Sequence, residues 1–177
     1  MPLQGDESVK SNKHPNNFPS ADHDHQRCVD SALGKAESYC TARGVRLTKL
    51  RHRVLELIWA NHRPVGAYDL LQQLTLEGHK ASPPTIYRSL DFLLDNGLIH
   101  RINSLNAYVG CDHPGLDHAA QFFICGACGQ AAELEDTKID SAISGHARRI
   151  GFCIEGKTIE ISGTCANCQQ QQRDRQG

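Results

Sequence analysis

Two cysteine knuckles, "CGAC" at Cys125 and Cys128 and "CANC" at Cys165 and Cys168, constrain this 177-residue chain more than any other feature. Two residues between cysteines let both thiolates reach one ion from a single turn. Two such turns complete a tetrahedral four-sulfur site with Zn–S near ~2.3 Å. The knuckles lie far apart in sequence, so the chain between them has to leave and return. "QAAELED" continues as a strand, "DTKIDSAISGHARRIGF" carries Ile139, Ile143 and Ile150 at helical spacing, and "TIEIS" is a second strand. That β-α-β excursion brings Cys165 back beside Cys125. A rubredoxin-like iron site and a redox dithiol are the alternatives to structural zinc. Cys153 reads as a core residue of an apolar strand.

The N-terminus is polar, rich in Asn, Pro and Ser, and has no apolar core, so residues 1–26 read as a disordered tail and not as a secretory leader. No apolar run approaches the roughly 20 residues needed to span a bilayer. A cytoplasmic protein is expected, in which eight cysteines point to metal or redox work more than to disulfides. The net charge of −1 conceals an asymmetry. Residues 27–101 hold 11 Lys/Arg against 7 Asp/Glu, whereas residues 102–177 hold 6 against 9. A basic front and an acidic, cysteine-rich back suggest two domains, over 27–110 and 111–170, with any polyanion meeting the first. Residues 171–177 read as a second disordered tail.

In the front half, a first helix is expected over Arg27–Arg43. "VRLTKLRHRVLELIWANH" then repeats Leu47, Leu50, Val54, Leu57 and Ile58 as one buried stripe, with Arg46, Lys49, Arg51 and Arg53 on the remaining surface. "AYDLLQQLTLEG" is a short amphipathic helix ending at Gly78. In "SPPTIYRSLDFLLDNG", Ser82 can cap, proline suits the first turn, Gly97 ends the helix, and Ile86, Leu90, Leu93 and Leu94 face inward. "LIHRI" and "NAYVG" form a β-hairpin around Asn103, Ser104 and Leu105. Three helices and a hairpin in this order make a winged helix-turn-helix, whose last helix enters the DNA major groove. Tyr87, Arg88 and Asp91 face outward; a guanidinium there can hold a phosphate or a guanine edge. A helical bundle with solvated arginines is the alternative.

Between hairpin and knuckle lie further candidate ligands: His100, Cys111, His113, His118 and Glu133. Zinc accepts such a mixture of imidazole, thiolate and carboxylate. Each has an ordinary structural explanation on its own, and it is their convergence at a domain boundary that argues for a metal.

The chain from about residue 27 to residue 168 resembles the ferric uptake regulator family, specifically its zinc uptake regulator branch. "VRLTKLRHRVLELI" resembles the family's opening DNA-domain helix, and "AYDLL…PPTIYRSLDFLLDNGLIH" its helix-turn-helix and wing. "HAAQFFICGACG" with "IEISGTCANC" is similar to its dimerisation domain and cysteine site. The resemblance implies an α+β fold: a winged helix-turn-helix DNA-binding domain followed by an α/β dimerisation domain with a four-cysteine zinc site. It implies a homodimeric, metal-dependent repressor with two zinc ions per chain, acting on AT-rich inverted repeats in promoter DNA. It further implies a second zinc between the domains, held by His100, Cys111, His118 and Glu133, and DNA contacts from Tyr68 and Arg88, beside the outward Tyr87. In the loop "CDHPGLDH", His113, or a carboxylate from Asp112 or Asp117, is the alternative that replaces His118 or adds a third site.

The iron-sensing relatives carry a histidine-rich run where this chain has Ala119, Ala120, Gln121 and Phe122. That departure argues against an iron- or peroxide-responsive regulator. A zinc-ribbon interaction module without DNA binding is the remaining alternative from another class. No nucleophile–base pair or phosphate loop suggests an enzyme.

Overall fold

The apolar stripes of the N-terminal half close on one another in three dimensions. The protein is described here by a computed structural model covering residues 18, 25–60, 62–115, 120–134 and 136–175. Helices α1 (His25–Ala42), α2 (Lys49–Trp59), α3 (Ala67–Leu76) and α4 (Pro83–Asp95) are followed by the hairpin strands β2 (Ile99–Ile102) and β3 (Ala107–Gly110). A two-residue strand, β1 (Val65–Gly66), precedes α3 and adds to the hairpin in the order β1-β3-β2. Val54, Leu55 and Ile58 of α2 meet Leu70 and Leu74 of α3 and Ile86, Leu90 and Leu93 of α4, all at most 2% exposed. Full burial of each such side chain is worth about 1.5–3 kcal/mol, so this cluster sets the position of α4. Gly97, with φ of +61°, ends that helix in a backbone conformation that side chains resist.

The second half forms a separate sheet. Strands β4 (Ala120–Cys125), β5 (Ala131–Leu134) and β6 (Thr158–Gly163) lie in the order β5-β4-β6, with helix α5 (Thr137–Arg149) before β6 and α6 (Ala166–Asp174) after it. β4 runs antiparallel to β5 and parallel to β6. The parallel pairing is the expected β-α-β return. The wing lies against this sheet, where Ile102 of β2 is buried with Ala120, Phe122 and Ile124 of β4. Ala131 N–H donates to the His62 carbonyl at 3.1 Å, a second tie between the halves.

Several local expectations are corrected. α1 begins at His25, inside the segment expected to be a tail, and Phe18 is half-buried against the cysteine cluster; the rest of residues 1–24 lies outside the described residues. α6 continues to Asp174, because the knuckle starts a helix that its glutamines sustain, so residues 171–174 are helix and not tail. Ser82 does not cap α4 with its side chain. Pro83 and Pro84 have no N–H to offer, Thr85 N–H bonds the Ser82 carbonyl, and the Ser82 hydroxyl pairs with that of Thr85. Asn106 belongs to the wing turn, with φ of +47°, and not to the strand. Cys153 is exposed in the loop after α5. Ile143 of α5 and Ile150 at its C-cap are exposed too, at 36% and 66%.

Candidate metal centres and nucleic-acid interface

The parallel register of β4 and β6 ends at Cys125 opposite Gly163, two residues before Cys165. Gly126 N–H bonds the Gly163 carbonyl at 2.9 Å, and Gly129, with φ of +73°, turns the first knuckle back so that its N–H reaches the Cys125 carbonyl. Cys165 caps α6 and Cys168 sits in its first turn. The sulfurs of Cys125, Cys128, Cys165 and Cys168 consequently all lie within 4.8 Å of one another. Tetrahedral zinc at Zn–S ~2.3 Å requires sulfurs about 3.8 Å apart; Cys128 and Cys165 are at 3.9 Å. Burial opposes ionisation of Cys125, but N–H groups of Cys165, Cys128 and Ala127 outweigh it and bring the thiol down to about 6. The neighbouring Cys165 thiol and burial push Cys168 up to about 12, and burial raises Cys128. Four thiols around one point ionise together only around a cation, which is what this donor set suits.

A second cluster lies where the wing meets the sheet. The β2–β3 register sets Ile99 opposite Gly110, and Cys111 N–H extends the ladder to the Leu98 carbonyl. Cys111 and His100 are thereby diagonal neighbours on one face. β5 supplies Glu133. The ligating atoms of His100, Cys111 and Glu133 lie within 4.8 Å of one another, with His100 Nε2 at 3.0 Å from Glu133 Oε1. Asp112 N–H donates to the other Glu133 oxygen at 3.3 Å, orienting the carboxylate. The His100 ring stands edge-on to Phe122, 5.5 Å between centroids. Imidazole, thiolate and carboxylate from two domains suit a borderline dication with one coordination position left. His118, expected to fill it, lies outside the described residues. His113 is exposed.

The outward face of α4 is as expected: Tyr87, Arg88 and Asp91 are exposed, while Ile86, Ser89, Leu90 and Leu93 are buried. Tyr68, at the start of α3, is 72% exposed and shares a shallow cleft with Tyr87 between the first turns of α3 and α4. Two helix N-termini here favour anions. The basic surface expected on α2 is smaller than its count. Arg53 pairs with Glu56 and Glu77, and Arg51 lies 3.6 Å over the Phe92 ring. Both arginines fasten α2 to its neighbours and leave Arg46 and Lys49 exposed.

The sequence model of the ferric uptake regulator family matches residues 42–162, well over half of the chain. The chain belongs to the ferric uptake regulator family. It is 40% identical over 139 residues to the zinc uptake regulation protein of Escherichia coli (strain K12), covering 77% of this chain and 80% of that protein. The zinc uptake regulation protein of Mycobacterium tuberculosis is 28% identical over 132 residues, 73% of this chain and 98% of the relative. Among solved structures, a zinc uptake regulator complexed with zinc and DNA superposes with a TM-score of 0.76 at 37% identity, over 82% of this chain and 97% of the other. The crystal structure of holo XcZur superposes at 0.74 and 41% identity, over 80% and 99%. The family's fold, read from the knuckles and the helix order, is the one observed.

Sequence reasoning missed two participants. Phe122 is the apolar pivot under His100, and its place in the "FFIC" run gave no sign of which phenylalanine faced the wing. Glu160 accepts from the N–H groups of Asn103 and Ser104 at 2.6 and 3.0 Å. Its signal in "TIEIS" was a carboxylate between two apolar strand positions, which reads equally as a solvated acid.

Proposed function

We propose that this chain is a zinc-responsive transcriptional repressor that binds promoter DNA as a homodimer when loaded with zinc and shuts off zinc-uptake genes. The observation that carries the reading is the gathering of His100 from the wing, Cys111 from the linker and Glu133 from the second sheet. One ion bound by all three couples the domains. It selects the arrangement in which α4 and its copy meet successive major-groove turns. Likeness to a zinc uptake regulator complexed with zinc and DNA supports the same conclusion.

In this reading each chain holds two zinc ions. Cys125, Cys128, Cys165 and Cys168 hold a structural ion, and His100, Cys111 and Glu133, joined by His118, hold the regulatory one. Tyr68, Tyr87 and Arg88 meet an AT-rich inverted repeat. Among the described residues no helix is long and apolar enough to cross a membrane, in keeping with a DNA-binding protein of the cytoplasm. The thiolate of Cys111 favours zinc over ferrous iron, which separates this reading from an iron- or peroxide-responsive one.

Zinc titration followed by operator affinity tests it. The wild-type protein is expected to tighten on DNA about 5- to 150-fold with zinc, the usual range of a coupling free energy. Cys111→Ser keeps the structural ion and the dimer, loses the exchangeable ion, and stays near the metal-free affinity. His118→Ala behaves alike, and His113→Ala is mild. A Cys111→Ser protein that still responds fully to zinc overturns the assignment of the sensing site.

A further inference from the structure

Glu133, Phe122 and Glu160 occupy one line across the second sheet, since Phe122 of β4 pairs with Glu133 of β5 on one side and Glu160 of β6 on the other. Directly paired residues share a face, and on this sheet that face meets the wing. The hairpin lies across it with three points of attachment. Glu133 takes His100 near the base of β2, and Phe122 packs against Ile102 and the His100 ring. Glu160 takes the tip. Its Oε1 accepts from Asn103 N–H at 2.6 Å, and its Oε2 accepts from Ser104 N–H at 3.0 Å. The turn, closed by Asn106 N–H on the Asn103 carbonyl, presents these two consecutive N–H groups outward, the arrangement that forms an anion-binding nest. Hydrogen bonds from the Ser104 hydroxyl first, then from the two backbone groups, hold the Glu160 carboxyl below its ordinary range although burial opposes them. The occupant is a carboxylate anion, bound by charge-assisted hydrogen bonds.

We propose that Glu160 is a positioning residue for DNA binding: a metal-independent latch that grips the wing tip and, with the ion at the other end of β2, fixes the orientation of the DNA-binding domain. His100 and Asn103 are three residues apart, about 10 Å along a strand. A single ion at the base of the hairpin leaves a pivot. A second attachment at that distance removes the rotation. The inference rests on the zinc-responsive reading and deepens it, because a latch that favours the closed arrangement must by linkage also raise affinity for the ion that binds that arrangement.

The test uses the full-length, zinc-reconstituted protein with wild type, Glu160→Ala and Glu160→Gln in parallel. Free zinc is buffered, DNA binding is followed by anisotropy, and amide exchange is measured at Asn103 and Ser104. Glu160→Ala is expected to keep its zinc stoichiometry but to need about tenfold more free zinc for half-maximal DNA binding, the effect of roughly one net charge-assisted hydrogen bond. Its Asn103 and Ser104 amides lose protection. Glu160→Gln keeps the shape and one acceptor, and is expected to fall between; it decides the matter should the alanine variant fold poorly. A purely structural loss would lower the melting temperature without moving the zinc midpoint. An unchanged midpoint, or a shifted midpoint with both amides still protected, overturns the latch. Absence of any zinc dependence in the wild type overturns the repressor reading instead, while amide protection still reports the latch.

Discussion

At the scale of single residues, charge count and charge function separate on this surface. Four basic residues were legible on and just before α2, but Arg53 is committed to Glu56 and Glu77 and Arg51 to the Phe92 ring, and helical periodicity cannot reveal the partners Glu77 and Phe92 because they lie outside α2. Arg88 was legible, because Ile86 and Leu90 define the buried side of α4 and leave it facing out. Arg88→Ala is expected to leave fold, dimer and zinc content intact and to cost about 1–3 kcal/mol of affinity per half-site if the guanidinium reads a base. If it meets only phosphate, all sequences weaken alike and the salt slope falls by about one unit per contact. Competition titrations on operator and scrambled DNA at several salt concentrations distinguish the two; unchanged binding on both would displace α4 from the groove. Glu160 shows the limit of residue-level reading. Its partners are backbone N–H groups 56 and 57 residues away in sequence, and no side-chain pattern encodes those.

At the scale of elements, helix type and order and the glycine stops after α3 and α4 followed from periodicity and punctuation, whereas the start of α1 and the end of α6 did not. The end of α6 was missed because glutamine-rich sequence carries no apolar stripe; what starts that helix is the metal knuckle. Cys168 is the buried residue of α6 among those described, and the cysteine cluster is the packing it has. The element is therefore tied to the ion more than to a core. Replacing Cys125 with Ser should release one zinc per chain and unravel both α6 and the end of β6, where Cys125 pairs with Gly163. Structural zinc in finger peptides binds with about 10–16 kcal/mol, as much as or more than the roughly 5–15 kcal/mol that keeps a whole domain folded. Loss of the cooperative melt of the second domain, read by calorimetry beside metal content, is the expected result. A Cys125→Ser protein that melts and dimerises like wild type would show that the knuckles fold without metal.

At the scale of the whole molecule, the second sheet has two unlike faces, and each has a use. One face carries Phe122, Glu133 and Glu160 against the wing. Phe123, the next residue on β4, points to the other face and pairs with Ile161 of β6; they are 38% and 41% exposed. Ile143 of α5, and Ile150 and Phe152 just beyond it, are exposed as well. The sequence aligned Ile143 and Ile150 by helical spacing, but periodicity is silent about which molecule covers an apolar residue. A two-sided sheet with an apolar outer face is what a homodimer of this family would bury, and the interface would link two copies of α4 at a fixed separation. Two half-sites one helical turn apart, about 34–36 Å, are then read at the high effective concentration of a linked pair. Phe123→Glu places a charge on that face, on the opposite side of β4 from the wing. It is expected to give monomers in sedimentation with the zinc content per chain of the wild type. Affinity for the full operator should fall about 10²- to 10⁴-fold, the usual contribution of bivalency, with affinity for an isolated half-site nearly unchanged. A Phe123→Glu chain that stays dimeric would place the dimer interface elsewhere. One that becomes monomeric yet binds the full operator undiminished would show that a single copy of α4 suffices.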